Sequence, residues 1–236
     1  MIKESAPGQQ IPLAFNKYDQ IDFELFEVGR NQAVVKYLNN LLKEKFDNQI
    51  AYLWGAPGSG KSHLLQAACT AAARDKLTVA YIPLKEASEL SPAMLEGLES
   101  LALICLDDID KIAGKTDWEE AIFHLYNRLR DANIPLLISS NCSPLASEVL
   151  LPDLKSRLAW GQVFHLLPLN ESEALNSLMR RAHSRGFDLP NEVAGYLIKR
   201  VSRDMHSLFG VLDKLDRASL VAKKKLSIPF VRELLD

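Results

Sequence analysis

The sequence has few cysteines, no long apolar run and no excess of one charge. Its three cysteines, Cys69, Cys105 and Cys142, lie far apart and form no C-x-x-C pair. This spacing argues against a disulfide framework or a cysteine metal site and favours buried, reduced thiols. No apolar stretch approaches the length of a bilayer span, and the first residues lack the apolar core of a signal peptide. A net charge of −2 gives no broad basic surface for nucleic acid. We therefore expect a cytoplasmic globular protein that binds no membrane.

One short glycine-rich stretch carries the clearest chemistry in the chain and fits G-x-x-x-x-G-K-[ST] without a mismatch. In order it reads Gly55, Ala56, Pro57, Gly58, Ser59, Gly60, Lys61 and Ser62. An apolar run precedes it and a helical pattern follows, which is the context of a phosphate-binding loop. Lys61 is expected to reach the β- and γ-phosphates, and Ser62 to place its hydroxyl on Mg²⁺. The alternative, a glycine-rich turn that caps an ordinary helix, is disfavoured by the flanking patterns.

The remaining apolar runs predict a parallel sheet. Candidate strands at 50–54, 77–82, 101–106, 134–141 and 163–166 alternate with helical patterns at 31–45, 62–74, 85–100 and 118–132. Such alternation predicts an α/β fold with a five-stranded parallel sheet between helices. From about residue 170 only helical patterns follow, at 171–185, 191–202, 204–222 and 230–235. We therefore expect an extended arm at 1–20, a nucleotide-binding αβα domain at 21–168 and a small all-helical domain at 169–236.

Polar side chains follow two of the predicted buried strands. Asp107 and Asp108 end the third strand, and Asn141 ends the fourth. Ligands of parallel sheets bind outside the carboxyl ends of the strands, where the phosphate loop also lies. Asp107 is the candidate Mg²⁺ ligand, Asp108 the candidate group that orients or deprotonates water, and Asn141 a candidate partner of the γ-phosphate or the water. The simpler alternatives are turn or cap residues at strand ends.

Two further features lie outside this edge of the sheet. Arg157 stands on a predicted helix end, where an arginine is either a surface charge or an arginine finger that meets a nucleotide on a neighbouring molecule. The arm carries large apolar side chains on a polar tail, which either pack on the body of the protein or dock into a pocket on a partner. These arm residues are Gln10, Ile11, Pro12, Leu13 and Phe15.

Taken together, the motifs resemble the AAA+ ATPases. The stretch 154–161 around Arg157 resembles the arginine-finger box of the bacterial initiator DnaA, and residues 23–31 are similar to the DnaA segment that lines the nucleotide base. The arm resembles the peptide that binds the DNA-polymerase sliding clamp (its beta subunit). A DnaA-like body with such an arm, and without the DnaA helix-turn-helix domain, resembles the Hda family of regulatory inactivators. We therefore expect no sequence-specific DNA-binding domain.

The resemblance implies an AAA+ domain with a helical lid and a mechanism that acts in trans. Family members bind ADP, dock on the DNA-loaded clamp through the arm and present the arginine finger to ATP-bound DnaA, which prevents over-initiation. Carried over, Arg157 is the finger and the loop with Mg²⁺ holds ADP (or ATP). The further nucleotide-binding residues would be Phe26, Val28, His63 and His206.

One lid position departs from the family pattern. Where a sensor-II arginine is usual, this chain has His206, and Arg203 lies close by as a substitute. A neutral imidazole cannot fully replace a guanidinium against a γ-phosphate, so we expect a stimulator of DnaA rather than an efficient ATPase. The competing hypotheses are a self-sufficient AAA+ ATPase of helicase-loader or clamp-loader type and, less favoured, an origin-binding module. Self-association into a homo-oligomer is a further expectation for an AAA+ surface.

Overall fold

Five parallel strands form the centre of the structure. The computed structural model describes residues 21–41, 43, 49–201, 204–222 and 226–235. The strands are β1 (Ile50–Trp54), β2 (Val79–Pro83), β3 (Leu103–Asp107), β4 (Leu136–Ser140) and β5 (Gln162–His165). Their order across the sheet is β2-β3-β4-β1-β5, and every pair is parallel. The predicted α/β fold with a five-stranded parallel sheet is therefore confirmed. The predicted arm and Arg203 lie outside the described residues.

Helices cover both faces of the sheet, because alternate residues of its central strands point to opposite sides. The helices of this part are α1 (Gln32–Asn40), α2 (Lys61–Arg74), α3 (Thr116–Asp131) and α4 (Pro152–Trp160). Ala51 and Leu53 of β1 pack with α1 and α2 in one apolar cluster. Ile50 and Tyr52 of the same strand pack with α3 and α4 in a second cluster. Each central strand is therefore buried on both faces, as its continuous apolar sequence predicts.

Two local predictions are wrong. The helix expected at 85–100 is replaced by three short 3₁₀ helices, Leu84–Glu86, Pro92–Leu95 and Leu98–Ser100. Pro92 begins the second of these after a Ser91 cap, and Gly97 turns the chain with φ +75°, so no longer helix can form. Cys69 and Cys105 are buried free thiols as predicted, but Cys142 is only half-buried.

The C-terminal part is helical, as predicted. It contains α5 (Glu171–Ser184), α6 (Asn191–Arg200), α7 (Met205–Ala222) and α8 (Ile228–Leu235), which share an apolar core of their own. A capping box starts α5: the Asn170 side chain accepts from the Glu173 N–H, and the Glu173 side chain accepts from the Asn170 N–H. Arg180 pairs with Glu27 at 2.8 Å and thereby ties α5 to the segment before α1. None of the described helices combines the length and apolar character that a bilayer span requires.

Candidate nucleotide-binding site

The candidate site lies at the carboxyl edge of the sheet. Since β3, β4 and β1 are neighbours, their ends place Asp107, Asn141 and the loop after Trp54 side by side. The structure thus brings together the side chains that the sequence pattern selected, and the register of the strands sets their spacing. This edge is where parallel α/β sheets bind their ligands.

The glycines of the loop 55–62 are required by its backbone. Gly58 and Gly60 have φ of +76° and +96°, a region that side chains rarely adopt. A Cβ on Gly60 would lie 2.6 Å from Phe26 Cε2, and a Cβ on Gly58 would lie 2.7 Å from Asp204 Cβ. Phe26 therefore packs directly beneath the loop, while the residues that begin α7 press on it from the lid. Gly60 is also the residue at which the loop passes into α2.

Lys61 is buried, and its ammonium group donates hydrogen bonds to two loop carbonyls and to Asn141. Its Nζ donates to the carbonyls of Gly55 (2.8 Å) and Ala56 (3.1 Å) and to Asn141 Oδ1 (3.1 Å). Burial lowers the pKa of Lys61, and the surrounding carboxylates of Asp107, Asp108 and Asp110 partly oppose this effect. A phosphate oxygen that binds Lys61 would therefore have to replace one of these three hydrogen-bond acceptors.

The loop also fits phosphate on independent grounds. Ser59 is 8% exposed, and its Oγ is buried without a hydrogen-bond partner among the described residues. A buried hydroxyl of this kind needs an acceptor or donor, since an unpaired one is costly. The unpartnered hydroxyl, the two left-handed glycines and the N-terminus of α2 together suit an anion.

Asp107 is held by two hydroxyls. Ser139 Oγ donates to its Oδ1, and the Tyr81 hydroxyl donates to Oδ2 at 2.5 Å. Gln66 donates in turn to the Tyr81 oxygen at 3.0 Å. Burial, together with the charge of Asp107, raises the pKa of Tyr81, so its proton stays in place as a donor. The carboxylate is therefore fixed in direction before any cation binds.

A magnesium ion fits this edge only with the help of phosphate oxygens. Asp107 supplies a single well-oriented carboxylate. Ser62, which follows Lys61 in the first turn of α2, is half-buried. Among the residues described, no cluster of three or more His, Cys, Asp or Glu side chains is arranged to hold a metal ion. Mg²⁺ in nucleotide sites takes one or two protein ligands plus waters and phosphates, which agrees with this sparse donor set.

Asp108 adopts the left-handed conformation, with φ 60° and ψ 53°. Its backbone N–H donates to Ser139 Oγ at 2.8 Å, which fixes the turn after β3. Burial raises the pKa of the Asp108 carboxyl, the neighbouring Asp107 and Asp110 raise it further, and Lys61 and Lys111 oppose them. A carboxylate with a raised pKa is a better proton acceptor than an ordinary one.

Asn141 is bound on both sides. Its Oδ1 accepts from Lys61, and its Nδ2 donates to Asp110 Oδ2 at 3.0 Å. Burial raises the pKa of Asp110, but hydrogen bonds from the backbone and side chain of Asn141 and the nearby Lys111 outweigh it, so the pKa is lowered. The amide thus connects the loop lysine to a charged carboxylate on the turn after β3.

Arg157 lies outside the group of polar side chains around Lys61 and Asp107. Its guanidinium carbon lies 4.3 Å from the centroid of the Trp160 ring, which is 61% exposed at the end of α4. Among the described residues, no hydrogen bond joins Arg157 to the phosphate loop. The arginine is half-buried on a surface rather than inside the chain's own candidate site.

The other predicted nucleotide residues lie around the loop. Phe26 is buried in the apolar cluster behind it, Val28 packs on the same cluster, and His63 lies with its ring 5.6 Å from that of Phe26. His206 is exposed on the first turn of α7, next to the residues that contact Gly58. The predicted clamp-binding residues, Gln10 to Phe15, lie outside the described residues.

Sequence reasoning missed Tyr81, Ser139 and Asp110. Tyr81 and Ser139 lie within predicted strands, where their polarity was a usable signal: each is a hydroxyl near the carboxyl end of an apolar run. Asp110 follows Asp107 and Asp108 by only a few residues. Which of these side chains meet depends on strand order, which no local pattern contains.

Two protein-family models match this chain. The family model of the bacterial DnaA ATPase domain matches residues 18–165. The chain belongs to this family. A second model, the lid domain of Hda, matches residues 171–235. The two matches together identify a DnaA-related replication regulator with an AAA+ fold.

Solved structures show the same fold as this DnaA family member. Domain III of the Thermotoga maritima replication initiation protein DnaA has a TM-score of 0.79 at 24% identity, over 91% of this chain and 95% of that one. AMPPCP-bound DnaA from Aquifex aeolicus has a TM-score of 0.68 at 24% identity, over 81% of this chain and 63% of that one. The Thermotoga maritima RuvB Holliday junction branch migration motor has a TM-score of 0.63 at 17% identity, over 86% and 68%.

Proposed function

We propose that this chain is a nucleotide-bound regulator of replication initiation that stimulates ATP hydrolysis by DnaA in trans. In this proposal it holds ADP, docks on the DNA-loaded sliding clamp through residues 10–15 and presents Arg157 to the ATP of DnaA. The observation that carries the proposal is the combination of a DnaA-type ATPase domain with an Hda-type lid. The loss of ATP from DnaA would then prevent over-initiation.

The nucleotide part of the proposal is supported by the loop. The unpartnered Ser59 hydroxyl, the Lys61 ammonium group and the two left-handed glycines suit the phosphates. Bound Mg²⁺ would neutralise phosphate charge, with Ser62 and Asp107 as the residues that hold it. Relatives with this fold bind an adenine nucleotide analogue, as the AMPPCP complex of Aquifex aeolicus DnaA states.

A preference for ADP and weak turnover follow from two side chains. His206, and not an arginine, lies on the first turn of α7, and an imidazole lacks the planar, bidentate fork with which a guanidinium binds a γ-phosphate. Asp108 would take the proton of an attacking water, yet its side chain is one methylene shorter than glutamate and its turn is fixed by Ser139. Both features favour a stable complex over rapid hydrolysis.

The action in trans is supported by the surroundings of Arg157. The guanidinium is stacked on Trp160, so it loses less conformational freedom when it meets a phosphate on another molecule. Arginine fingers of this type contribute about 10³–10⁵ in rate. Lysine at this position would keep the charge but lose the planar fork and the stacking.

A single-turnover assay tests the proposal. ATP pre-bound to DnaA is mixed with this protein and DNA-loaded clamp, and its hydrolysis is followed for the wild type, Arg157→Ala and Arg157→Lys. Arg130→Ala is the matched control, because Arg130 is an exposed arginine of α3 whose ion pair among the described residues is with its neighbour Asp131. We expect clamp-dependent acceleration that both Arg157 variants lose, by on the order of 10³ for alanine, and that the control keeps.

Two results separate the alternatives. Loss of the clamp-dependent acceleration in Leu13→Ala and Phe15→Ala supports the arm as the clamp contact. No acceleration by the wild type, together with steady ATP turnover by this protein alone, contradicts the proposal and supports a self-sufficient AAA+ ATPase of helicase-loader or clamp-loader type.

A further inference from the structure

The Asn141 amide has one possible orientation in this structure. Lys61 Nζ can only donate, and the Asp110 carboxylate can only accept. Since Lys61 lies 3.1 Å from one end of the amide and Asp110 3.0 Å from the other, Oδ1 must face the lysine and Nδ2 the carboxylate. A flipped amide would set donor against donor and acceptor against acceptor.

Asp110 holds the residue through more than its side chain. The backbone N–H of Asn141 donates to Asp110 Oδ1 at 3.1 Å, so the two carboxylate oxygens bind the backbone and the amide of the same residue. Ser140 Oγ also donates to Oδ1 at 3.4 Å, and Lys111 Nζ lies 3.4 Å from Oδ2. Rotation of the Asn141 side chain therefore breaks a charge-assisted hydrogen bond.

One hydrogen of the amide is left for a ligand. Nδ2 carries two hydrogens, and among the described residues only Asp110 accepts from it. Lys61 in turn has all three of its hydrogens engaged by Gly55, Ala56 and Asn141. A phosphate that approaches Lys61 must displace one of these acceptors, and Asn141 is the only side chain among them.

We infer that Asp110 is a positioning residue that holds the Asn141 amide ready for a γ-phosphate and so sets the preference of the site between ATP and ADP. The inference rests on the proposed nucleotide binding and deepens it. ADP lacks the γ-phosphate, so its affinity should depend little on the amide. Pre-organisation of the donor lowers the ordering cost of binding for ATP only.

The affinities of ADP and of the non-hydrolysable analogue AMPPCP, each with Mg²⁺, test this inference by titration calorimetry. We expect Asp110→Ala to weaken AMPPCP about tenfold, as for the loss of one hydrogen bond to a charged group, with little change for ADP. Asp110→Asn should fall between, because its single acceptor oxygen can serve only one of the two Asn141 N–H groups. Asp117→Ala, an exposed aspartate on α3, is the matched control and should match the wild type.

A double-mutant cycle separates positioning from a direct charge effect. In the Asn141→Ala background, Asp110→Ala should change the ratio of AMPPCP to ADP affinity no further. Additive effects, equal weakening of both nucleotides, or tighter AMPPCP binding from relief of charge repulsion would each overturn the inference. If the wild type binds neither nucleotide, the proposed nucleotide role fails and the inference fails with it. If both nucleotides bind but Asn141→Ala leaves the ratio of their affinities unchanged, the inference alone fails. Thermal unfolding checks that each variant is folded. If Asp110→Ala is not folded, Asp110→Asn takes its place in the comparison.

Discussion

Replacing Glu119 by glutamine should destabilise the protein through the segment that leads into α4. Glu119 is 1% exposed on α3, and its carboxylate accepts the backbone N–H groups of Gly114 (2.7 Å), Leu150 (3.0 Å) and Leu151 (2.7 Å). These bonds connect the start of α3 to the residues immediately before α4, the helix that carries Arg157. A glutamine has the same shape, so the change isolates the hydrogen-bond chemistry.

The magnitude follows from counting the bonds that remain. Glutamine offers one acceptor oxygen, and its NH₂ group faces backbone donors on the other side, so at least one of these part-buried N–H groups loses its partner. Hydrogen bonds to charged groups contribute about 1.5–3 kcal/mol each, and an unsatisfied buried donor costs about 1–3 kcal/mol. We expect a loss of about 3 kcal/mol in the free energy of unfolding, which corresponds to a fall in Tm of roughly 6–12 °C for a chain of this size.

Thermal unfolding followed by circular dichroism measures this effect, with Glu120→Gln as the control. Glu120 is the next residue on the same helix and is exposed, so its substitution should leave Tm within about 2 °C of the wild type, as for most surface changes. Glu119→Gln should also reduce stimulation of DnaA, since the segment before α4 is loosened, while ADP affinity stays unchanged. A Tm shift no larger than that of Glu120→Gln would refute the reasoning.

Three further predictions concern the loop, the metal edge and the finger. Gly58→Ala should weaken nucleotide binding and lower stability by more than Gly97→Ala, because both glycines have φ near +75° but only Gly58 faces the lid within 2.7 Å; equal unfolding midpoints would contradict this. Tyr81→Phe should weaken ADP binding several-fold in the presence of Mg²⁺ and little in EDTA, because it frees one oxygen of Asp107; equal losses in both buffers would argue for a merely structural tyrosine. Trp160→Ala should lower stimulation of DnaA hydrolysis about fivefold, the value of an exposed cation–π contact, and Trp160→Phe should restore most of it; an unchanged rate for the alanine variant would show that the stacking on Arg157 is dispensable.

Local patterns in the sequence predicted much of the fold. Strand and helix assignments depend on short-range periodicity, and the buried parallel strands are continuous apolar runs, so they were recognised from a few residues each. The prediction of a helix at 85–100 is wrong because Pro92 and Gly97 interrupt the segment, although the spacing of its apolar residues is helical. The loop 55–62 was also recognisable locally, since its glycines, lysine and serine are consecutive.

What the tertiary structure decided is which of the selected residues touch, and through which partners. The sequence by itself determined a phosphate loop and acidic and amide groups at strand ends, because each is encoded within one segment. The Ser139 hydroxyl on Asp107 and the connection from Lys61 through Asn141 to Asp110 exist because β4 lies between β3 and β1. The Tyr81 hydroxyl reaches Asp107 because β2 lies beside β3. The hydrogen bonds from Glu119 to the residues before α4 likewise join positions that are 31 and 32 residues apart in the sequence. Strand order and helix packing are set by the burial of the whole chain, so no single segment contains them.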